Sequence, residues 1–530
     1  MKRKARTRLF GRSTFHAPCL AIGHGILILV PIDVDRKIVT ELSQEEKSAI
    51  RAFFLGIGLP TTHAVTFSDV TLPEHYSDIR SRSEIYDFSA ELVPSLSLSV
   101  PIVSANMESV TGLDLAVALE REGGLAFPPQ TLLLDERLEL VERIGRTDCA
   151  LIDEPLTISP DHHTLKIAKE LMGRFGIQSV IAVDDERHPI GILTTRDWLY
   201  EKDDRVLVRD LMTKKLITAP RGIHFDEAAK ILKQHKIEKL PLVDTAGHLA
   251  GLITANGLFY KSRHPRATRD EKGRFIKAGS IGVGQSFTLR QMKEVEAQVN
   301  KDIRILLIDT ARAYSVNTEE AIKKIKSEFP KLPLIVGNVS TAEGAKFLFE
   351  AGADVVKVGQ GPGSVCRTRA VGVGVPQLTA VAECAVIAGR YGKTVIADGG
   401  MKSPGDIAKA LIVGARAVML GNLLVRARES ASPTFVDEEN RPVKNYVGSA
   451  SFAAQLARQK RGDLAYLRRP EGVTQVVPVT GTVHEIIDDL LRGLSSTMAY
   501  LGVRNLVELR EKGKFLPQTP AGHVEGVKKS

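Results

Sequence analysis

The stretch Asp354–Gln377, DVVKVGQGPGSVCRTRAVGVGVPQ, sets one cysteine, Cys366, among glycines at 359, 361, 363, 372 and 374. A structural cysteine packs as a small hydrophobe and needs no such setting. The run Asp354–Val358 patterns as a buried strand, and the glycines begin where it stops. That order predicts a site at the carboxyl end of a strand, with a thiol able to act as a nucleophile. Two more glycine-rich strand ends, ADGG at 397–400 and MLGN at 419–422, offer backbone N–H groups that can approach an oxyanion closely, which predicts a bound phosphate. Ser364 would add a hydroxyl to it. Cys384, within the helical pattern LTAVAECAVIA, reads as core.

The chain that must position these groups has 530 residues, enough for two to three domains. With 43% hydrophobic and 25% charged residues it has the balance of a soluble globular protein. The net charge of +9 is dispersed among acids, which argues against nucleic acid and suits an anionic small molecule. Four cysteines without CxxC spacing argue against structural zinc and against a disulfide scaffold, so reduced thiols in a cytoplasmic setting are expected. The first residues are basic, and an apolar run follows from Leu20 to Ile32. His24 and Pro31 interrupt that run, and it is too short to span a bilayer. Residues 1–60 are therefore expected to be an extension, with no membrane association.

An internal repeat divides the rest. FGIQSVIAVDDERHPIGILTTRDWL and HKIEKLPLVDTAGHLAGLITANGLF match at a fixed offset, Ile177 with Ile237, Asp184 with Asp244, Gly191 with Gly251 and Thr194 with Thr254. Each copy reads as helix, strand, turn, strand, helix, and neither buries its apolar face without its twin. The repeat resembles a tandem cystathionine-β-synthase (CBS) pair over 148–262, with copies at 148–204 and 205–262. Such pairs often bind adenine nucleotides; the alternatives are an adenine or guanine nucleotide at this pair or a purely structural role for it. The resemblance puts the ribose contact at Thr194 and Asp197; the second copy has Thr254 but Gly257, so at most one site is expected intact.

Outside the repeat, apolar strands end in small or polar residues: VPIVSANM, GGLAFPP, AGSIGVG, ILLIDTA, PLIVGNV, DVVKVGQG, TVIADGG and AVMLGNL. Helical stretches such as Thr318–Glu328 and Pro404–Val413 separate most of them. Eight strands alternating with helices predict an α/β fold, a (β/α)8 TIM barrel. Its first part is expected at 61–147 and the remainder at 263–530, with the CBS-like pair inserted between.

The loop GPGSVCRTR, with GVGVPQ, DGGMKSPGDIAKAL and GARAVMLGNLL, resembles the IMP dehydrogenase and GMP reductase family from about Phe67 to the C-terminus. The resemblance implies that Cys366 attacks C2 of a purine 5′-mononucleotide while Thr368 helps move the proton. It implies that Asp398 holds the ribose and that Ser364, Gly399, Gly400, Gly421, Asn422 and Tyr446 hold the phosphate. Glu471 would meet the purine N1 edge, and Asp309 and Asn338 would lie on the nicotinamide side. In the tail KFLPQTPAGHVEGV, Glu525 and Gly526 would help a neighbouring subunit bind potassium with the carbonyls of Gly361, Gly363 and Cys366, which implies a homotetramer.

The direction of the reaction stays open between two members of the family. A dehydrogenase uses NAD and an adjacent arginine–tyrosine dyad on a flap to activate water, whereas a reductase uses NADPH and needs no dyad. The flap here, QLARQKRGDLAYLRRPEG, has Arg461, Tyr466, Arg468 and Arg469 but no such adjacent pair. SANM at 104–107 and Tyr314 lean toward reductases; the insert and the tail lean toward dehydrogenases. The balance favours NAD-dependent IMP oxidation with an arginine among Arg461, Arg468 and Arg469 as the water activator, Arg461 being the candidate taken forward, and GMP reduction stands second. A non-catalytic nucleotide sensor is a third reading, opposed by the intact Cys366, Thr368 and Asp398.

Overall fold

The computed structural model describes residues 41–270, 273–284, 287–452, 454–456 and 472–526. Seven parallel strands form one sheet, in the order Ala278–Gly282, Ile305–Asp309, Leu334–Val339, Val355–Val358, Thr394–Asp398, Ala417–Leu420 and Ile102–Ser104. Both faces are covered, so the strands read as nearly unbroken apolar runs; Ile305, Leu306, Leu307 and Ile308 are all fully buried. The helices between strands start on side-chain caps, as where Ser403 accepts from the Asp406 N–H and Thr341 from the Gly344 N–H.

The eighth expected strand, GGLAFPP, pairs through Leu125 alone, which bridges to Val103 in parallel. Pro128 and Pro129 bring no N–H to a ladder and end the pairing there. Across the seam between this segment and Ala278–Gly282 lies Arg137, 2% exposed. It donates to the Ser280 carbonyl at 2.8 Å and pairs with Glu294 at 2.9 Å. A guanidinium thus links the two sides of the barrel at this seam.

The segment between Arg146 and His264 forms the repeat. Strands Ser179–Val183 and Pro189–Thr194 pair antiparallel, and so do Lys239–Val243 and Leu249–Thr254, with a register shift at Ala182/Val183 and again at Leu242/Val243. Ile181, Leu249 and Leu252 share one core with Ile152, Val183 and Ile192, so each copy covers the other's apolar face. The turns meet at His188 and His248, whose rings stack 4.9 Å apart.

Residues 41–60, placed by sequence in the extension, carry the helix Gln44–Ile57, which packs on the helix Gln377–Arg390 of the barrel; Glu45 pairs with Arg390 at the end of that helix, and Glu46 pairs with Lys346 on the helix Ala342–Ala351. At the other end of the chain, Leu516–Pro517 pairs antiparallel with Val70–Thr71. Among the described residues no helix is long and apolar enough to cross a membrane.

Candidate active site

The carboxyl ends of the strands open into a cavity of about 610 Å³. Lys357, on the strand Val355–Val358, is 2% exposed and lines this cavity. Its ammonium lies 2.6 Å from Asp398 Oδ2 and 3.0 Å from Asp309 Oδ1, and it also donates to Asn338 Oδ1. Burial opposes the charge, but the carboxylates of Asp309 and Asp398 outweigh it and hold the ammonium above the ordinary lysine range. Asn338 Nδ2 donates to the same Asp398 oxygen at 2.8 Å, and Asn106 Nδ2 donates to Asp309 Oδ2 at 3.0 Å. Five strand ends are thereby joined in one charged network. With both bonds on Oδ2, the carboxylate of Asp398 keeps acceptor capacity for a hydroxyl donor in the cavity.

Cys366 is exposed at the cavity edge. Its N–H donates to the Gly363 carbonyl at 3.0 Å, and its Sγ lies 3.2 Å from Thr368 Oγ1. The loop is held from the other side by a backbone bridge between Cys366 and Gly472 and by the Val473 N–H on the Val365 carbonyl at 3.0 Å. Gly359 lets the loop leave its strand, because a Cβ there would lie 2.1 Å from the Asp398 carbonyl oxygen. A thiol beside a hydroxyl in the lining of a cavity that also holds Asp398 is equipped for covalent attack on a bound electrophile.

The end of the site where a phosphate is expected holds the glycine turns and Tyr446. Tyr446 sits on the strand Pro442–Val447, is 4% exposed, and directs its hydroxyl to Met107 Sδ at 3.6 Å. Burial, followed by the negative charges of Asp398 and Cys366, pushes the phenol well up, so it remains an O–H donor at neutral pH. A Cβ at Gly421 would lie 2.3 Å from that hydroxyl, which is why glycine stands there.

Of the residues expected from the sequence, Cys366, Thr368, Asp398, Gly399, Tyr446, Asp309, Asn338, Gly361 and Gly363 line this one cavity. Gly400 lies just behind it, a Cβ there being 3.3 Å from Pro362. Two expected residues lie outside the cavity lining: the Asn422 side chain accepts at Oδ1 from Arg426 at 3.2 Å, and Ser364 is exposed, with its backbone carbonyl accepting from Gln475. Glu525 and Gly526 end a helix packed on Phe67–Asp69, outside the cavity lining. Arg461 and Glu471 lie outside the described residues.

In the insert, Asp197 Oδ2 accepts from both the N–H and the hydroxyl of its own partner Thr194, at 2.6 and 2.7 Å. At the equivalent place in the second copy a Cβ on Gly257 would lie 2.1 Å from the Cys149 carbonyl oxygen, so incoming chain fills that position. Lys357, Asn106 and Gln360 were not foreseen as site residues. The only available signal was a lysine inside an apolar strand.

The IMP dehydrogenase / GMP reductase domain model matches residues 64–528. The chain is 42% identical over 469 residues to inosine-5′-monophosphate dehydrogenase of Aquifex aeolicus, covering 87% of this chain and 94% of that protein. It is 41% identical over 468 residues to the enzyme of the same name from Bacillus subtilis, with coverage of 86% and 94%. Among solved structures, a cysteine-to-alanine variant of GMP reductase from Trypanosoma brucei in complex with guanosine 5′-monophosphate superposes with a TM-score of 0.80 at 31% identity, over 90% of this chain and 99% of that one. The same protein with guanosine 5′-triphosphate gives 0.70 at 29%, over 88% and 99%.

Proposed function

Because the chain belongs to the IMP dehydrogenase / GMP reductase family and is an oxidoreductase, we propose that it oxidises inosine 5′-monophosphate to xanthosine 5′-monophosphate with NAD through a covalent bond to Cys366. The observation that carries this reading is the convergence of Cys366, Thr368, Asp398 and Tyr446 on one cavity. The cavity also extends past Asp309 and Asn338 to Gln291 and Glu294, which leaves a second polar wall for a nicotinamide group. That group, when bound, supplies the hydride acceptor.

The chain's own residues do the rest. Gly399, Gly400, Gly421 and Tyr446 hold the phosphate, and Asp398 accepts from the ribose hydroxyls. The Cys366 thiolate adds to C2 of the purine, Thr368 helps carry the proton, and loss of hydride from C2 leaves a thioimidate. Water then attacks C2 and the C–S bond breaks, giving the xanthine product and the free thiol. Arg461 is the water activator in this reading, with Glu471 at the purine N1 edge. Potassium on the carbonyls of Gly361, Gly363 and Cys366, completed by Glu525 and Gly526 of a neighbouring copy in a homotetramer, would steady the cysteine loop. The insert is read as a CBS pair offering Thr194 and Asp197 to an adenine or guanine nucleotide.

A second reading runs the chemistry the other way: NADPH delivers hydride to a Cys366 adduct of guanosine 5′-monophosphate that has lost ammonia. Two observations favour it, the missing arginine–tyrosine dyad in 455–472 and the likeness to GMP reductases. Nicotinamide absorbance decides between them. The first reading requires turnover with IMP plus NAD; turnover with GMP plus NADPH alone replaces it with the second, and silence with both removes the enzymatic proposal.

A further inference from the structure

Gln360 stands between the strand Val355–Val358 and the cysteine loop, half-buried, and lines the cavity. Its side chain is bonded at both ends. Oε1 accepts from the Ser340 hydroxyl at 2.7 Å, while Nε2 donates to the Ala311 carbonyl at 3.1 Å and the Asn338 carbonyl at 3.4 Å. Ala311 follows the strand that carries Asp309, and Asn338 and Ser340 stand at the end of the next one. One amide therefore joins the segment leading to Cys366 to the two strand ends that face the second wall of the cavity. Neither a carboxylate nor an apolar side chain can replace it, since glutamate would set charge against two carbonyl oxygens and methionine would make none of the bonds.

We propose that Gln360 is a positioning residue that sets the cysteine loop at its working distance from the Asp309–Asn338 wall. The assignment rests on the reaction described above and adds to it. The phosphate and ribose contacts sit on other segments, so Gln360 governs the approach of the purine carbon to the nicotinamide ring and leaves mononucleotide affinity alone. Misplacement of reacting atoms by about 1 Å costs about a hundredfold in rate. The network supplies this constraint without Gln360 touching either reactant.

The test uses the full-length protein as wild type, Gln360→Met, Ser340→Ala and the double variant. Three quantities are measured: single-turnover hydride transfer, mononucleotide affinity by calorimetry, and backbone hydrogen exchange of a peptide spanning 359–368. Gln360→Met is expected to slow hydride transfer about a hundredfold, with affinity within about threefold of wild type and exchange at 359–368 about tenfold faster. Ser340→Ala should slow transfer less, by about fivefold to tenfold. The double variant should be no slower than Gln360→Met, because the shared bond is already gone. Unchanged exchange, unchanged hydride transfer, or a loss of affinity that parallels the loss of rate would each overturn the proposal. Exchange is read without substrate, so a wild-type protein inert toward IMP and GMP would remove the reaction while the exchange result still judged the tether.

Discussion

Lys357 and Asp398 form an ion pair of 2.6 Å between neighbouring strands, with the lysine 2% exposed. Removing one partner of such a pair strands the other, and in cores this typically costs about 3–5 kcal/mol. Lys357→Met should therefore destabilise the barrel by several kcal/mol and leave Asp309 and Asp398 facing each other without a counter-charge. Mononucleotide binding should weaken by about tenfold or more, because the carboxylate proposed to accept from the ribose is no longer oriented. Urea titration and calorimetry check the two effects, and an unaltered affinity would detach Asp398 from ribose binding.

Cys366→Ala should abolish turnover in either direction while mononucleotide affinity stays within a few-fold of wild type, since the proposed phosphate and ribose contacts come from other strands. Single-turnover kinetics with equilibrium binding gives both numbers. Residual catalysis at a tenth of the wild-type rate would exclude a covalent bond to this thiol.

Glu383 gives a pH prediction. Burial, and then the nearby Glu343 charge, raises its pKa from 4.5 to about 7, against a smaller opposing effect of the Ala342 N–H. The folded protein therefore holds this proton more tightly than the unfolded chain, and the stability it brings is complete below about pH 4.5 and is lost as pH rises through about 7. Glu383→Gln should stabilise the protein at pH 8 by an amount on the order of 1–3 kcal/mol and make no difference near pH 4.5. Denaturant midpoints at the two pH values test this; equal shifts at both would show that ionisation is not the cause.

Deleting 148–262 with a short linker should leave the barrel folded and active. The two ends of the insert lie together: the Thr254 hydroxyl donates to the Cys149 carbonyl, and Arg121, salt-bridged to Asp148, stacks on Tyr260. A domain whose ends meet and which carries its own core can be removed without pulling its host apart. Loss of the cooperative melt in the deletion variant would show that the barrel depends on the insert.

The sequence revealed the parts whose signals are local. Glycines at strand ends, a thiol among them and a repeat at a fixed offset can each be read within a short window, and the structure brings Cys366, Asp398 and Tyr446 to one cavity. Lys357 escaped because in DVVKVGQG it looks like an interruption of a buried strand, and its meaning lies in Asp309 and Asp398, carried by other strands. Gln360 escaped for the same reason. The single bridge at Leu125 follows from Pro128 and Pro129, which bring no N–H to a ladder and which the apolar pattern of GGLAFPP hides. The Thr194–Asp197 contact shows the converse limit, since matching residue types do not reveal that they bond first to each other.

Apart from the single bridge to Leu125, the strand Ile102–Ser104 pairs among the described residues with Ala417–Leu420. During synthesis the first barrel strand must therefore wait while about 300 residues are added, roughly 15–60 s at ordinary elongation rates. The repeat, which pairs only with itself, is complete long before then and can fold while the barrel is still half made. An early-folding unit placed between the two halves of a late-folding one shortens the span of loose chain that the barrel must gather in at the end.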